Sequence, residues 1–184
     1  MDVAYRQQMK AARTALNKCK DQGHYLAATL DESRWSTRSA VGGWSSAECF
    51  EHLNLTLSGM LPLLQAGVDE ARKNQWRALG PLSVAIFPRL LCWFLEPPYR
   101  VKTATQPAFV PAAIATKAQT LAAWDSWHKD LDDLILRSDG LALDRPTIVS
   151  PFDPKGKVRY SVYAGLLIVA AHERRHLWQA SRPI

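Results

Sequence analysis

The connection between the second and third of four helical segments restricts the fold of this chain more than any other feature. The four segments carry apolar stripes at helical spacing and cover roughly residues 3–30, 44–74, 111–137 and 161–180. Helices joined by short loops run antiparallel, whereas a connection of about 35 residues can cross a bundle. The sequence therefore predicts an all-α fold, a four-helix bundle with a long, proline-rich crossover between helices 2 and 3.

Capping residues support these boundaries. Ser45 is a good N-cap, and Glu48 three residues later completes a capping box at the start of the second helix. Pro111 occupies a favoured first-turn position for the third helix. Residues 33–43 are rich in Ser, Thr and Gly and are expected to form a loop, and one short strand fits residues 146–149.

Size and charge exclude several classes of protein. The 184 residues suffice for one domain spanning residues 1–184 with its own core. The net charge of +6 is spread along the chain, without the run of basic residues that marks a nucleic-acid arm. The tryptophans fall mainly on predicted helices and mix with acidic residues such as Asp125, unlike the stacking aromatics of a basic nucleic-acid groove. We therefore expect no nucleic-acid partner.

The cysteines indicate a reducing compartment. Cys19, Cys49 and Cys92 are scattered, with no CxxC pair, which argues against a disulfide framework. The first residues contain no apolar leader. The expected location is the cytoplasm.

The most apolar stretch, residues 79–95, lies within the crossover. It has about 17 residues where a membrane span needs about 20, and Pro81, Pro88 and Arg89 interrupt it. We expect no membrane span and interpret the stretch as a buried or capping pair of helices. The alternative is a segment that lies on a membrane surface.

Two histidines in the last helix form the strongest local motif. His172 and His176 stand four residues apart, so they share one helix face with about 6 Å between them along the axis. The preceding residues on that face are small or apolar, so both histidines are expected to point towards the core. The letters also read HExxH, with Glu173 as the base of a zinc protease. That class needs a downstream ligand, and residues 177–184 contain no His, Asp or Glu.

His52 is the best candidate for a third ligand. It lies in the apolar stripe of the second helix, where an unpartnered imidazole would be costly to bury. Three inward histidines could bind one divalent ion and leave positions open for water or substrate, as reactive sites do. The alternative is a set of hydrogen-bonded structural histidines. His24 and His128 are expected to lie outside the site.

Four neighbouring residues have two interpretations each. Glu48 could accept a hydrogen bond from the free ring nitrogen of His52, although the capping box is favoured. Gln179 could orient His176 or bind substrate, or simply end the helix in a polar residue. Glu173 points about 100° away from His172, which makes it a doubtful base. Cys49 could be a catalytic thiol, but a small core residue is favoured.

Two sequence blocks carry a resemblance to a known family. The first block is GWSSAECFEHL, residues 43–53. It has a Trp-Ser start, then an acidic residue, then a histidine followed by leucine. An HxxxH motif followed by glutamine occurs in AHERRHLWQ, residues 171–179. Together the blocks resemble the second-helix and fourth-helix signatures of the DinB/YfiT-like superfamily, whose helix count and long crossover also match.

The resemblance implies a four-helix bundle of up-down-down-up topology with a three-histidine site for nickel, zinc or a similar ion. Carried over by position, the ligands are His52, His172 and His176. The family often forms homodimers, and its members include transferases and isomerases that use low-molecular-weight thiols such as bacillithiol or mycothiol. The apolar insert at residues 81–98 departs from plainer members. It could cover the site or form a partner surface.

These observations predict a metal-dependent enzyme acting on a small molecule, most plausibly a thiol S-transferase. A divalent ion on three neutral imidazoles can lower the pKa of a thiol or of water. The chemistry therefore also fits a metal-dependent hydrolase, and a non-catalytic metal-binding stress-response protein is the third alternative. An all-imidazole site suits zinc, nickel, iron and copper alike, with nickel or zinc expected.

Overall fold

The computed structural model describes residues 2–38, 43–98 and 104–182. Its helices are α1 Val3–Thr29, α2 Glu32–Ser36, α3 Ser46–Lys73, α4 Ile86–Leu95, α5 Lys117–Arg137 and α6 Val162–Ala180. Strands β1 Thr147–Val149 and β2 Arg159–Ser161 form a small antiparallel hairpin before α6. The predicted all-α fold is confirmed.

Side-chain caps explain where the long helices begin. The predicted capping box of Ser45 and Glu48 starts α3. α5 begins at Lys117 rather than at Pro111, because Thr116 and Gln119 form a second capping box there. This later start corrects the predicted boundary of the third helix.

Two further differences concern short elements. Part of the predicted 33–43 loop belongs to α2, which Asp31 caps and which buries Trp35 in the core; residues 39–42 lie outside the described residues. The strand expected at 146–149 is present as β1, and it pairs with β2, where Ile148 lies opposite Tyr160. Strands this short have little periodic signal in sequence, which is why β2 was not predicted.

Hydrogen bonds between α1 and α5 show that these helices are antiparallel. The Tyr5 hydroxyl, near the start of α1, donates to the carbonyl of Ser138 at the end of α5, over 3.2 Å. At the other end, Lys117 Nζ donates to the carbonyl of Leu30 over 2.6 Å.

By the same reasoning α3 and α5 run parallel. Asn54 Nδ2 donates to the Thr120 carbonyl over 3.1 Å near the starts of both helices. Arg137 donates to Gln65 Oε1 over 2.7 Å nearer their ends. Two parallel neighbours require the long crossover, which spans the length of the bundle between them.

The contacts between α3 and α6 complete the topology. Ser46 Oγ, at the start of α3, donates to the carbonyl of Ala180 at the end of α6 over 2.9 Å. Gly67, near the end of α3, lies against Val162 at the start of α6. These helices are antiparallel, so α1, α3, α5 and α6 run up, down, down and up, as predicted.

The crossover packs one short helix against the bundle. α4 lies on α6, where Arg174 forms an ion pair with Glu96 and Arg175 donates to the Phe94 carbonyl over 3.4 Å. The expected pair of helices is wrong for the described residues, since α4 stands alone and only its inner side is covered. None of the described helices combines the length and the apolar character that crossing a membrane requires.

Candidate metal centre

Three histidines converge between α3 and α6. His52 lies in the second turn of α3, and His172 and His176 lie one turn apart on α6. Because the helices are antiparallel, the start of α3 faces the end of α6. His52 Nε2 and His172 Nε2 are 3.2 Å apart. One ring nitrogen from each of the three histidines lies within 4.8 Å of the others.

A backbone carbonyl fixes the orientation of His52. Its Nδ1 is 2.7 Å from the carbonyl oxygen of Phe109, in the short 3₁₀ turn Pro107–Phe109 of the crossover. A carbonyl oxygen only accepts, so Nδ1 carries the proton and donates it. Nε2 therefore turns its lone pair towards His172 and His176. Sequence reasoning missed this contact because a backbone acceptor has no side-chain signature.

Aromatic rings form the walls of the cluster. The Trp44 ring is stacked near His176, with centroids 5.8 Å apart, and is tilted against His52 at 4.8 Å. Phe152, after β1, is stacked near His172 at 5.8 Å. His52 and His176 are buried, whereas His172 keeps part of its surface exposed. His172 is therefore the member of the cluster that lies nearest to solvent.

Burial keeps all three imidazoles neutral near pH 7. Desolvation lowers the pKa of His52, and the hydrogen bond to Phe109 acts in the opposite direction. For His172 and His176, burial and the neighbouring imidazoles lower the pKa well below the ordinary value of 6.5. Neutral imidazole is the form that binds metal ions.

The residues present fit a divalent ion. Two nitrogens on one tetrahedral zinc ion at about 2.0–2.1 Å are roughly 3.3–3.4 Å apart, close to the 3.2 Å between His52 and His172. His176 Nδ1 is buried and makes no hydrogen bond to any described residue. Three imidazoles, each with one ring nitrogen in this cluster, are compatible with a metal site.

Comparison with known proteins decides the family. A sequence model of the DinB superfamily matches residues 15–180. The chain belongs to the DinB superfamily. No curated protein and no solved structure matches it.

Two residues beside the cluster of this DinB-superfamily protein were candidates for orienting its histidines. Glu48 completes the capping box and forms an ion pair with Arg38. Nδ1 of His52, to which Glu48 could have been hydrogen-bonded, donates instead to the Phe109 carbonyl. Gln179 interacts through its side chain with His176, where it opposes the fall in pKa caused by burial.

Glu173 faces away from the three histidines. It is 1% exposed, and its Oε2 lies 3.4 Å from Nε2 of the equally buried His128. On the same side, burial raises the pKa of the Cys19 thiol, and the charge of Glu173 adds to that effect. The protease interpretation of HExxH is therefore wrong here, because its base points to the other side of α6.

The remaining candidates lie outside the cluster. His24 is partly exposed and is bonded to Asp125 at 2.7 Å. His128 belongs to the buried pair with Glu173. Cys49 is fully buried, and burial raises the pKa of its thiol, which suits a core residue rather than a nucleophile.

Proposed function

We propose that this DinB-superfamily protein is a metal-dependent S-transferase that joins a small thiol to an electrophilic small molecule. His52, His172 and His176 would hold the ion, nickel or zinc. The observation that carries the proposal is the convergence of three neutral imidazoles with one ring nitrogen each within 4.8 Å, of which His172 is partly exposed.

The chain's own residues would orient the reactants and restrict water. The Phe109 carbonyl holds the His52 ring with Nε2 directed inward. Trp44 and Phe152 stack on the imidazoles and favour a flat or apolar substrate group beside them. When bound, the ion would lower the pKa of a thiol and so supply a thiolate at neutral pH.

The engagement of nearby carboxylates favours thiol transfer over hydrolysis. Glu48 is paired with Arg38, Glu51 accepts a hydrogen bond from Thr120 over 2.5 Å, and Glu173 faces His128. A metal ion can itself activate water, but hydrolases commonly add a general base that takes a proton during the attack. A thiol has an ordinary pKa near 8.5, so it needs less help.

In the proposed reaction, the thiol sulfur forms a carbon–sulfur bond to the electrophilic carbon. The leaving group departs with the electron pair of the bond that breaks, and the thiol proton passes to solvent. No oxidation or reduction is required. A single domain in the cytoplasm, where low-molecular-weight thiols are kept reduced, is the proposed setting.

The test is product formation by protein reloaded with nickel or zinc. Cysteine or a cysteinyl glycoside is mixed with a haloalkane or epoxide, and the thioether is measured by mass spectrometry. We expect turnover by the wild type and by the control His24→Ala. For His172→Ala we expect the rate without protein.

Two outcomes would contradict the proposal. Cleavage of an ester or amide without thioether formation would make the protein a hydrolase. A full complement of metal with neither product would favour a non-catalytic metal-binding protein.

A further inference from the structure

The outer side of α4 exposes large apolar side chains. Ile86 is 75% exposed, Phe87 51%, Leu90 58% and Trp93 59%. Ile86, Leu90 and Trp93 are spaced to lie on one face of the helix, with Phe87 at its edge. We call these four residues the α4 face. Exposed apolar groups scattered singly need no explanation, but a contiguous set marks an interaction surface.

The opposite side of α4 is anchored to the bundle. Leu91, Cys92 and Leu95 pack against the core, and the Arg174–Glu96 ion pair joins the end of α4 to α6. Turning the α4 face inward would break these contacts. The face is therefore presented to the outside as a fixed feature of the fold.

One exposed basic residue borders this face. Arg89 lies beside Trp93, about 60° around the helix from Ile86 and on the side opposite Phe87. Of the acidic residues near α4, Asp144 accepts hydrogen bonds from Ser83 just before the helix, and Glu96 lies at its end. Arg174 already neutralises Glu96. The chain as a whole carries +6.

We propose that the α4 face docks onto the surface of an anionic lipid bilayer. An apolar helix face with Trp and Phe and an exposed arginine at its border is suited to the boundary between headgroups and acyl chains. Ile86 and Leu90 enter that boundary, Phe87 and Trp93 lie at headgroup level, and Arg89 meets the lipid phosphates. The protein lies on the membrane without crossing it.

The size of the face favours a bilayer over a second copy of the chain. The four side chains of the α4 face are 51–75% exposed and together offer roughly 300–600 Å² of apolar surface, the size of the largest patch on an ordinary monomer. A stable protein interface buries about 800 Å² on each partner. A fluid bilayer needs no matching surface, and basic residues near it add attraction.

The test is co-sedimentation of the full chain with vesicles. One set contains phosphatidylcholine alone, and the other contains equal parts of phosphatidylcholine and phosphatidylglycerol. The double variant Ile86→Gln/Leu90→Gln removes apolar area from the face, and Arg89→Gln removes its charge. Leu136→Gln is the matched control, because Leu136 is 52% exposed on α5, away from α4. Lys155→Gln controls for loss of one charge.

We expect the wild type to bind the anionic vesicles, and binding to weaken as salt is added. The double variant should bind about tenfold less tightly or worse, and Arg89→Gln about fivefold less tightly. Leu136→Gln and Lys155→Gln should match the wild type. All variants should keep the circular dichroism spectrum of the wild type, since the replaced side chains are exposed.

Either of two results would overturn the proposal. One is a wild type that does not bind the vesicles, or a double variant that binds them as tightly as the wild type does. The other is a dimer in sedimentation velocity that the double variant dissociates while no variant binds vesicles, which would make the α4 face a contact between two copies. Neither result depends on whether the metal centre is active.

Discussion

At the scale of single residues, the candidate metal centre depends on where each imidazole carries its proton. His52 donates from Nδ1 to the Phe109 carbonyl, which leaves Nε2 as the nitrogen that faces His172. The crossover therefore contributes to the centre through its backbone, although none of its side chains belongs to the histidine cluster.

Glu48 gives a prediction with a defined pH dependence. The hydrogen bonds from Arg38 hold its pKa below the ordinary value of 4.5, against the effect of burial. Near this pH the folded state therefore binds fewer protons than the unfolded state. The contribution of the Glu48 carboxylate to the free energy of unfolding is complete above about pH 4.5 and is lost as the pH falls through the folded-state pKa.

We expect Glu48→Gln to lower the free energy of unfolding by about 1 kcal/mol at pH 7, and the difference to shrink below about pH 4.5. Urea unfolding at several pH values measures it. Glu70→Gln, at an exposed position of the same helix, should show little effect. A difference between Glu48→Gln and wild type that stays constant down to pH 3.5 would count against this account.

The buried pair of Glu173 and His128 predicts strong coupling between two substitutions. His128→Leu removes the 3.4 Å contact between His128 Nε2 and the buried carboxyl group of Glu173 and should cost about 1–3 kcal/mol of stability. Adding Glu173→Met to it should recover about 1–3 kcal/mol relative to the sum of the single changes. A double-mutant cycle from urea unfolding measures this coupling, and simple additivity would show that the two side chains do not interact.

Sequence reasoning found the three histidines because helical spacing and burial constrain them directly. His172 and His176 share a face by their four-residue separation, and His52 lies in an apolar stripe. The role of Phe109 could not be predicted, since it depends on where a long crossover returns to the bundle. The contact of Glu173 with His128 could not be predicted for a related reason, since it depends on how α5 packs against α6.

At the scale of helices, a close approach of α3 and α6 positions the cluster. A Cβ on Gly67 would lie 2.3 Å from Val162 Cγ2, and one on Gly165 would lie 2.8 Å from Leu64 Cδ2. Both glycines permit the backbones to approach at the end of the pair opposite the histidines. The same two helices carry the three histidines at their other end.

Because of this close approach, we expect replacement of Gly67 by alanine to destabilise the protein, the opposite of the usual effect in a helix. Glycine to alanine inside a helix usually stabilises by about 1 kcal/mol. Gly67→Ala should instead destabilise by about 1–3 kcal/mol, because the added methyl group overlaps Val162. Thermal or urea unfolding measures the change, with Ala66→Gly at the neighbouring exposed position as the propensity control. A more stable Gly67→Ala variant would refute the close packing.

Helix boundaries were predictable where side chains mark them. The capping box of Ser45 and Glu48 was read from the sequence, and the helix starts there. The capping box of Thr116 and Gln119 was equally present in the sequence but was overlooked in favour of Pro111. The α2 turn has only five residues, too few for an apolar period to show.

At the scale of the whole molecule, the crossover has three roles. Its length permits α3 and α5 to run parallel, its 3₁₀ turn orients His52, and α4 presents an apolar face outward. The topology could be predicted because a long connection is needed between parallel neighbours. The outward direction of the α4 face could not be predicted from the sequence, since an apolar helix of this length fits a buried position equally well.

The central claim is that the three histidines hold one divalent ion, and elemental analysis after dialysis without chelator tests it most directly. We expect about one nickel or zinc ion per chain in the wild type and in His24→Ala, and none in His172→Ala. Wild-type protein that retains no ion, even after reloading with several divalent metals, would contradict the claim and leave the histidines as packing residues.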